Sequence, residues 1–183
     1  MDYRMAIPKP FFGYYPATIP QSEFDEAVTI FSPEGSTLQR LVVGPPNTTE
    51  PLQARDSYET TDPVPLEMFG KTVMRPLGDI VLARSGDKGG NVNIGLFVQT
   101  AEQWDWLRSF LTRDKMKQLM GKDWQPWYFV ERVEFANIYA VHFVIYGPLG
   151  RGVSSSRLLD CLGKGFAEFI RAVHVPIPMA FLS

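Results

Sequence analysis

Residues 78–95 read GDIVLARSGDKGGNVNIG, and the architecture of the second half of the chain follows from them. Residues 79–84 carry the aliphatic run of a strand. Residues 85–91 hold three glycines among Ser85, Asp87, Lys88 and Asn91 and read as a turn. Residues 92–99 alternate, with Val92, Ile94, Leu96 and Val98 on one face of a second strand.

Thr100 then opens a helix, with Gln103 completing a capping-box pattern and Trp104, Leu107 and Leu111 on one helical face. Thr112 starts a further helical turn that stops at Gly121. Residues 128–134 and 140–146 form a strand pair with Asn137 near the turn. Residues 147–153 are a second glycine-rich loop. Residues 154–172 are expected to be one helix burying Leu158, Leu159, Leu162, Phe166, Phe169 and Ile170, and residues 173–177 a last short strand.

With the strand at 79–84 set aside as an added edge, the order is strand, helix, strand, strand, helix, strand. Right-handed crossovers fold that order into an α+β, ferredoxin-like split βαβ sandwich with both helices on one face. The strands at 92–99 and 140–146 are read as parallel. The two glycine-rich loops then lie at opposite ends of the sheet, about 20 Å apart, and one subunit would bring them together only if the loops fold back, whereas a homodimer could place one subunit's first loop beside the other's second.

Proline separates this region from what precedes it. Eleven of the fifteen prolines fall in residues 1–76, and proline neither donates to a ladder nor fits a helix interior. Residues 1–76 read as an extension, 77–178 as the domain and 179–183 as a tail. Within the extension, residues 27–31 and 38–43 fit a hairpin turning at Pro33-Glu34-Gly35-Ser36, and 44–66 a long loop. Residues 1–22, with Phe11, Phe12, Tyr14 and Tyr15, are too apolar for a free tail and are expected to pack on the domain or on a partner subunit.

A formal net charge of −2 with no basic block argues against nucleic acid. The single cysteine, Cys161, excludes an intrachain disulfide and is expected to be buried on a helix. No stretch is apolar enough to span a bilayer, and the first residues lack a signal-peptide core, so a cytoplasmic protein is expected. The histidines are isolated and no Cys/His spacing suits a metal. The expectation is no metal and no cofactor.

The first glycine-rich segment offers chemistry. Arg84 and Lys88 suit a carboxylate, an enolate or a thioester oxygen, and Asp87 suits a general base. Ser85, Asn91 and Asn93 add polar groups for a substrate. The plainer reading is a hairpin with a local Asp87–Lys88 ion pair. In the second segment Arg151, Ser154 and Ser155 sit where a helix N-terminus would favour an anion; simple N-capping is the alternative. His142 shares a strand face with Val144 and Tyr146 and is either a proton-transfer group or a structural histidine.

The first segment resembles the motif that opens the C-terminal domain of AtuA-like (acyclic terpene utilisation) proteins, R-S-G-D-K-G followed by N-I-G. Residues 147–160, GPLGRGVSSSRLLD, followed by Gly163-Lys164, are similar to that domain's second motif. The resemblance spans residues 77–178. It implies a ferredoxin-like fold and an association with branched, terpenoid acyl compounds. Family members usually carry a much larger N-terminal domain than the 76 residues here. The expected activity is that of a cofactor-free cyclase or lyase on a polyketide or terpenoid acyl compound, acting by enolisation and then lactonisation or aldol-type ring closure. The alternative is a non-catalytic accessory subunit of a larger acyl-processing enzyme.

Overall fold

The computed structural model describes residue 7 and residues 17–182. Phe11, Phe12, Tyr14 and Tyr15 of the expected aromatic arm lie outside the described residues. The chain divides between Ala54 and Arg55 into two compact units.

The described part of the first unit is a hairpin of β1 (Ala27–Phe31) and β2 (Thr37–Val42), paired antiparallel. Ser32 closes its turn: its backbone amide bonds the Ser36 carbonyl, and its hydroxyl accepts from the amides of Glu34 and Ser36. This is the short-range work that serine does well in turns.

The second unit holds β3 (Thr72–Pro76), β4 (Leu82–Lys88), β5 (Asn91–Phe97), α1 (Ala101–Phe110), α2 (Arg113–Met120), β6 (Phe129–Phe135), β7 (Ala140–Tyr146), α3 (Phe166–Ala172) and β8 (His174–Pro178). It is an α+β, ferredoxin-like arrangement. Four strands form an antiparallel sheet in the order β4-β5-β7-β6. Val92, Ile94, Leu96, Val141, Phe143 and Ile145 are buried on its inner face with Trp106, Leu107, Met116 and Ile170 from the helices. Half of the expected capping box forms: Thr100 Oγ1 accepts from the Gln103 amide, while Gln103 Oε1 accepts from the amide of Gln99, one residue before the cap, rather than from that of Thr100.

Three expectations are corrected. First, β5 and β7 pair antiparallel, with Gly95 opposite His142. The helical crossover brings the chain back so that β6 runs with β5. β7 reverses from β6 through the turn Ala136–Ile138 and inserts between them. It therefore opposes both. Second, the last strand does not join this sheet. β4 already occupies the free edge of β5 through a two-residue turn, so β8 pairs instead with β3. That small sheet tolerates Pro76, Pro176 and Pro178, which an interior ladder would not. Third, α3 begins only at Phe166, and residues 154–165 are turns and bends. Gly163 sits at φ +60°, a left-handed conformation that ends any helix, and the Leu158 amide bonds Ser156 Oγ rather than a helical carbonyl. Leu158, Leu159 and Leu162 are consequently exposed, Phe169 is also exposed, and Cys161 lies half-buried in this irregular segment.

A segment before β3 straps β6. The Tyr58 amide bonds the Arg132 carbonyl, and the Arg132 amide bonds Ser57 Oγ. Arg132 itself is fully buried. Its guanidinium donates to the carbonyls of Leu111, Tyr58 and Arg108 and to Glu134 Oε1. One buried cation thus ties the strap, the end of α1 and β6 together.

Candidate functional site

The strand β4 extends to Lys88, so Ser85 to Lys88 are paired strand residues, and only Gly89 and Gly90 remain as the turn. Alternation along a strand sends neighbouring side chains to opposite faces. Ser85 and Asp87 pair with Ile94 and Val92, the inner face. Arg84, Gly86 and Lys88 pair with Gly95, Asn93 and Asn91, the outer face. The expected grouping of Asp87 with Arg84 and Lys88 is thus divided by the pleat.

The outer face can be read as rows across the sheet. One row runs Arg84, Gly95, His142, Val133; the next runs Gly86, Asn93, Val144, Glu131. Gly95 puts no side chain between Arg84 and His142, whose strands are separated by one strand, about 10 Å. A Cβ at Gly95 would lie 3.9 Å from the His142 ring. Gly86 is bare too, and the ammonium of Lys164 reaches over it, 2.8 Å from where a Cβ would be. The result is a floor of backbone bordered by Arg84, Lys88, Lys164, Asn93 and His142.

His142 is half-buried, and its Nε2 lies 3.3 Å from the Asn93 carboxamide nitrogen. Burial, and then the positive charges of Arg55 and Lys88, push its pKa below the usual imidazole value. The ring is therefore neutral at pH 7. Phe135 packs edge-on against it. Beside it, Tyr146 donates to Glu131 Oε1 at 2.9 Å, and Arg55 bonds both Tyr146 and Glu131 Oε2. Burial, and then the hydrogen bond to Glu131, raise the Tyr146 pKa, so the phenol keeps its proton.

The antiparallel pairing of β5 with β7 also brings the two glycine-rich loops to one end of the sheet, within one subunit. The Leu149 amide bonds the Gly90 carbonyl, and the Gly147 amide bonds Asn91 Oδ1. A Cβ on Gly90 would fall 2.2 Å from the Gly150 carbonyl oxygen. No second copy of the chain is needed to join the loops.

Of the remaining candidates, Ser85 is engaged structurally: its hydroxyl donates to the Gly163 carbonyl and accepts from the Ala167 amide. Asn91 holds the second loop. Arg151 and Ser154 are exposed, and the Ser155 amide closes a turn on the Gly152 carbonyl. With no helix beginning at Ser154, the expected helix-terminal anion site is absent there. Among the described residues no group of three or more His, Cys, Asp or Glu side chains is arranged to hold a metal ion, and no helix is long and apolar enough to cross a membrane.

Sequence reasoning missed Arg55, Glu131 and Lys164 as parts of this face. Tyr146 was legible, since its alternation with His142 put both on one side. Nothing in the sequence brings Arg55 to β6 and β7, and Lys164 reaches the face only by bending round the β4 edge.

The model of one protein family, described as the AtuA ferredoxin-like domain, matches residues 75–176, more than half of the chain. No curated protein and no solved structure matches the chain.

Proposed function

Because the chain belongs to the AtuA ferredoxin-like domain family, we propose that it works on the small acyl compounds with which the family is associated, as a cofactor-independent cyclase or lyase of polyketide or terpenoid metabolism. The observation that carries this reading is the bare floor at Gly86 and Gly95 between three cations and a neutral imidazole. A planar β-dicarbonyl lies flat on such a floor. Arg84, Lys88 and Lys164 stabilise the enolate oxygen as negative charge develops. The substrate C–H proton passes to His142, and its electron pair moves into the carbonyl. Nε2 is the basic atom when Asn93 donates to it, and a bond of 3.3 Å is weak enough to exchange for a substrate proton. The imidazolium then returns the proton to the alkoxide or leaving group of the ring closure. Glu131 and Tyr146 hold Arg55 beside the ring.

The test is solvent deuterium incorporation at the α-carbon of an acetoacetyl N-acetylcysteamine thioester, followed by proton NMR. His142→Gln should slow the exchange by roughly 10²–10⁴-fold, the span of general acid–base catalysis. Asp87→Asn should leave it within about twofold. Failure of the wild-type chain to accelerate exchange with any β-dicarbonyl thioester would sink the enzymatic reading.

A second reading, an accessory subunit, draws on Phe129 and Phe135, which are 57% and 50% exposed on the same outer face. Exposed aromatics suit an interface. Sedimentation of the chain mixed with an acyl-processing enzyme would then show a complex heavier than either component, which Phe129→Ser with Phe135→Ser disperses.

A further inference from the structure

The opposite side of the β4–β5 hairpin carries a second cavity that the proposed chemistry does not use. It has a volume of about 600 Å³ and lies between the end of α2, the second glycine-rich loop and α3. This is within the ~300–1,000 Å³ range of small-molecule pockets. Val92, Met120, Leu149, Phe166 and Phe169 give it apolar walls, and Asp123, Gln125, Tyr128 and Asp160 its polar groups. Both Asp160 oxygens accept from backbone amides, those of Lys164 and Gly165, which leaves Asp123 as the outward carboxylate. No Lys or Arg lines it.

Over this cavity runs the segment 153–162. Gly152, at φ +93°, abuts the Gly89 carbonyl at one end, and Gly163, at φ +60°, abuts Val92 at the other. Between these fixed points Leu158 and Leu159 border the cavity while facing water, Leu159 completely so. Two adjacent exposed leucines at the rim of an apolar cavity are unfavourable unless something covers them.

We propose that this cavity binds a neutral apolar molecule with a hydrogen-bond-donating end, such as a long-chain alcohol, and that the 153–162 segment folds its leucines over the bound chain. The commitment to a small molecule comes from the volume and from walls supplied by three elements around an open mouth. The commitment to a neutral or donor-bearing end comes from charge. A free carboxylate would meet Asp123 with no cation to offset it, whereas a hydroxyl can donate to Asp123 and accept from Gln125 or Tyr128. The site is separate from the outer sheet face, and it stands or falls without regard to enolisation there.

Trp124 and Trp127 pack edge-on against Tyr128 and supply the signal. The full chain is titrated with decan-1-ol and, separately, with decanoate at pH 7, following tryptophan emission. Saturable binding of the alcohol is expected, with decanoate at least about tenfold weaker, the effect of one uncompensated like-charge contact. Leu159→Ser should weaken the alcohol about tenfold, as for one lost leucine contact, without moving the melting temperature, because Leu159 is solvated in the free chain. Absence of saturable alcohol binding overturns the site. Equal binding of decanoate overturns the ligand class. Unchanged alcohol affinity in Leu159→Ser overturns the closure of the segment.

Discussion

Replacing Arg132 with leucine tests how the second unit is held together. The side chain is wholly buried and donates to three backbone carbonyls and a carboxylate, at 2.7–3.0 Å. Leucine fills much of the volume but leaves the Leu111 and Tyr58 carbonyls without a donor, and the Arg108 carbonyl and Glu134 with only the Thr60 hydroxyl to share. Two of the carbonyls, of Arg108 and Leu111, belong to the end of α1, where carbonyls lack helical partners. Two carboxylates also lose a counter-charge: Glu134, in contact at 2.8 Å, and Glu59, 3.5 Å away with one oxygen buried and unbonded. Removing one partner from a buried pair costs about 3–5 kcal/mol. For a unit of this size that corresponds to a fall in Tm of roughly 10–20 °C. Scanning calorimetry and urea denaturation measure it, and hydrogen exchange should show loss of protection at Tyr58, whose amide bonds Arg132. The double variant Arg132→Leu with Glu134→Leu should recover part of the loss, since it removes one stranded charge. A loss below about 1 kcal/mol in Arg132→Leu would refute the argument that this residue joins strap, helix and sheet.

Four further outcomes are expected. His142 has its pKa lowered by burial and by Arg55 and Lys88, so the acid limb of the deuterium-exchange rate should fall below pH 6.5, and Arg55→Met should move it upward. The same shift makes the folded state bind its proton less readily than the unfolded one; stability from this group is full above pH 6.5 and declines as pH falls from there towards the folded value, which pH-dependent denaturation checks. Gly90→Ala drives a Cβ into the Gly150 carbonyl and should cost about 2–4 kcal/mol, combining overpacking with the Leu149 hydrogen bond, whereas Gly89→Ala, with open space but φ +64°, should cost only about 1–2 kcal/mol in urea denaturation. Gly86→Ala displaces only the flexible tip of Lys164, so it should leave the melting temperature within a few degrees while lowering the exchange rate at least about tenfold.

Much of the second unit was legible. The alternation of Val92, Ile94, Leu96 and Val98 marks the inner face, and that of Val141, Phe143 and Ile145 marks its continuation on β7. The capping pattern at Thr100 and the stop at Gly121 locate α1 and α2. The misreadings have physical sources. Gly86, Asp87 and Lys88 have poor strand propensity, yet pairing with Asn91, Val92 and Asn93 overrides it. Leu158, Leu159 and Leu162 mimic the apolar stripe of a helix, but Gly163 and the three preceding serines favour turns. β3 was hidden by its one proline, Pro76, and its partner β8 carries two more. Of the candidate site, Arg84, Lys88, Asn93 and His142 were identified by type and are joined by register. Arg55, Glu131 and Lys164 depend on contacts distant in sequence, which periodicity does not encode.

The meeting of the two glycine-rich loops within one chain has a kinetic consequence. A site shared between copies would disappear on dilution, and specific activity would fall as chains separated. Here the Gly90–Leu149 bond and the Asn91–Gly147 bond are intramolecular. Their effective concentration is fixed by the fold and not by the solution. Turnover per chain should therefore stay constant from micromolar to nanomolar protein. Mixtures of active and His142→Gln chains should show rates proportional to the active fraction alone, with no dominance of one over the other.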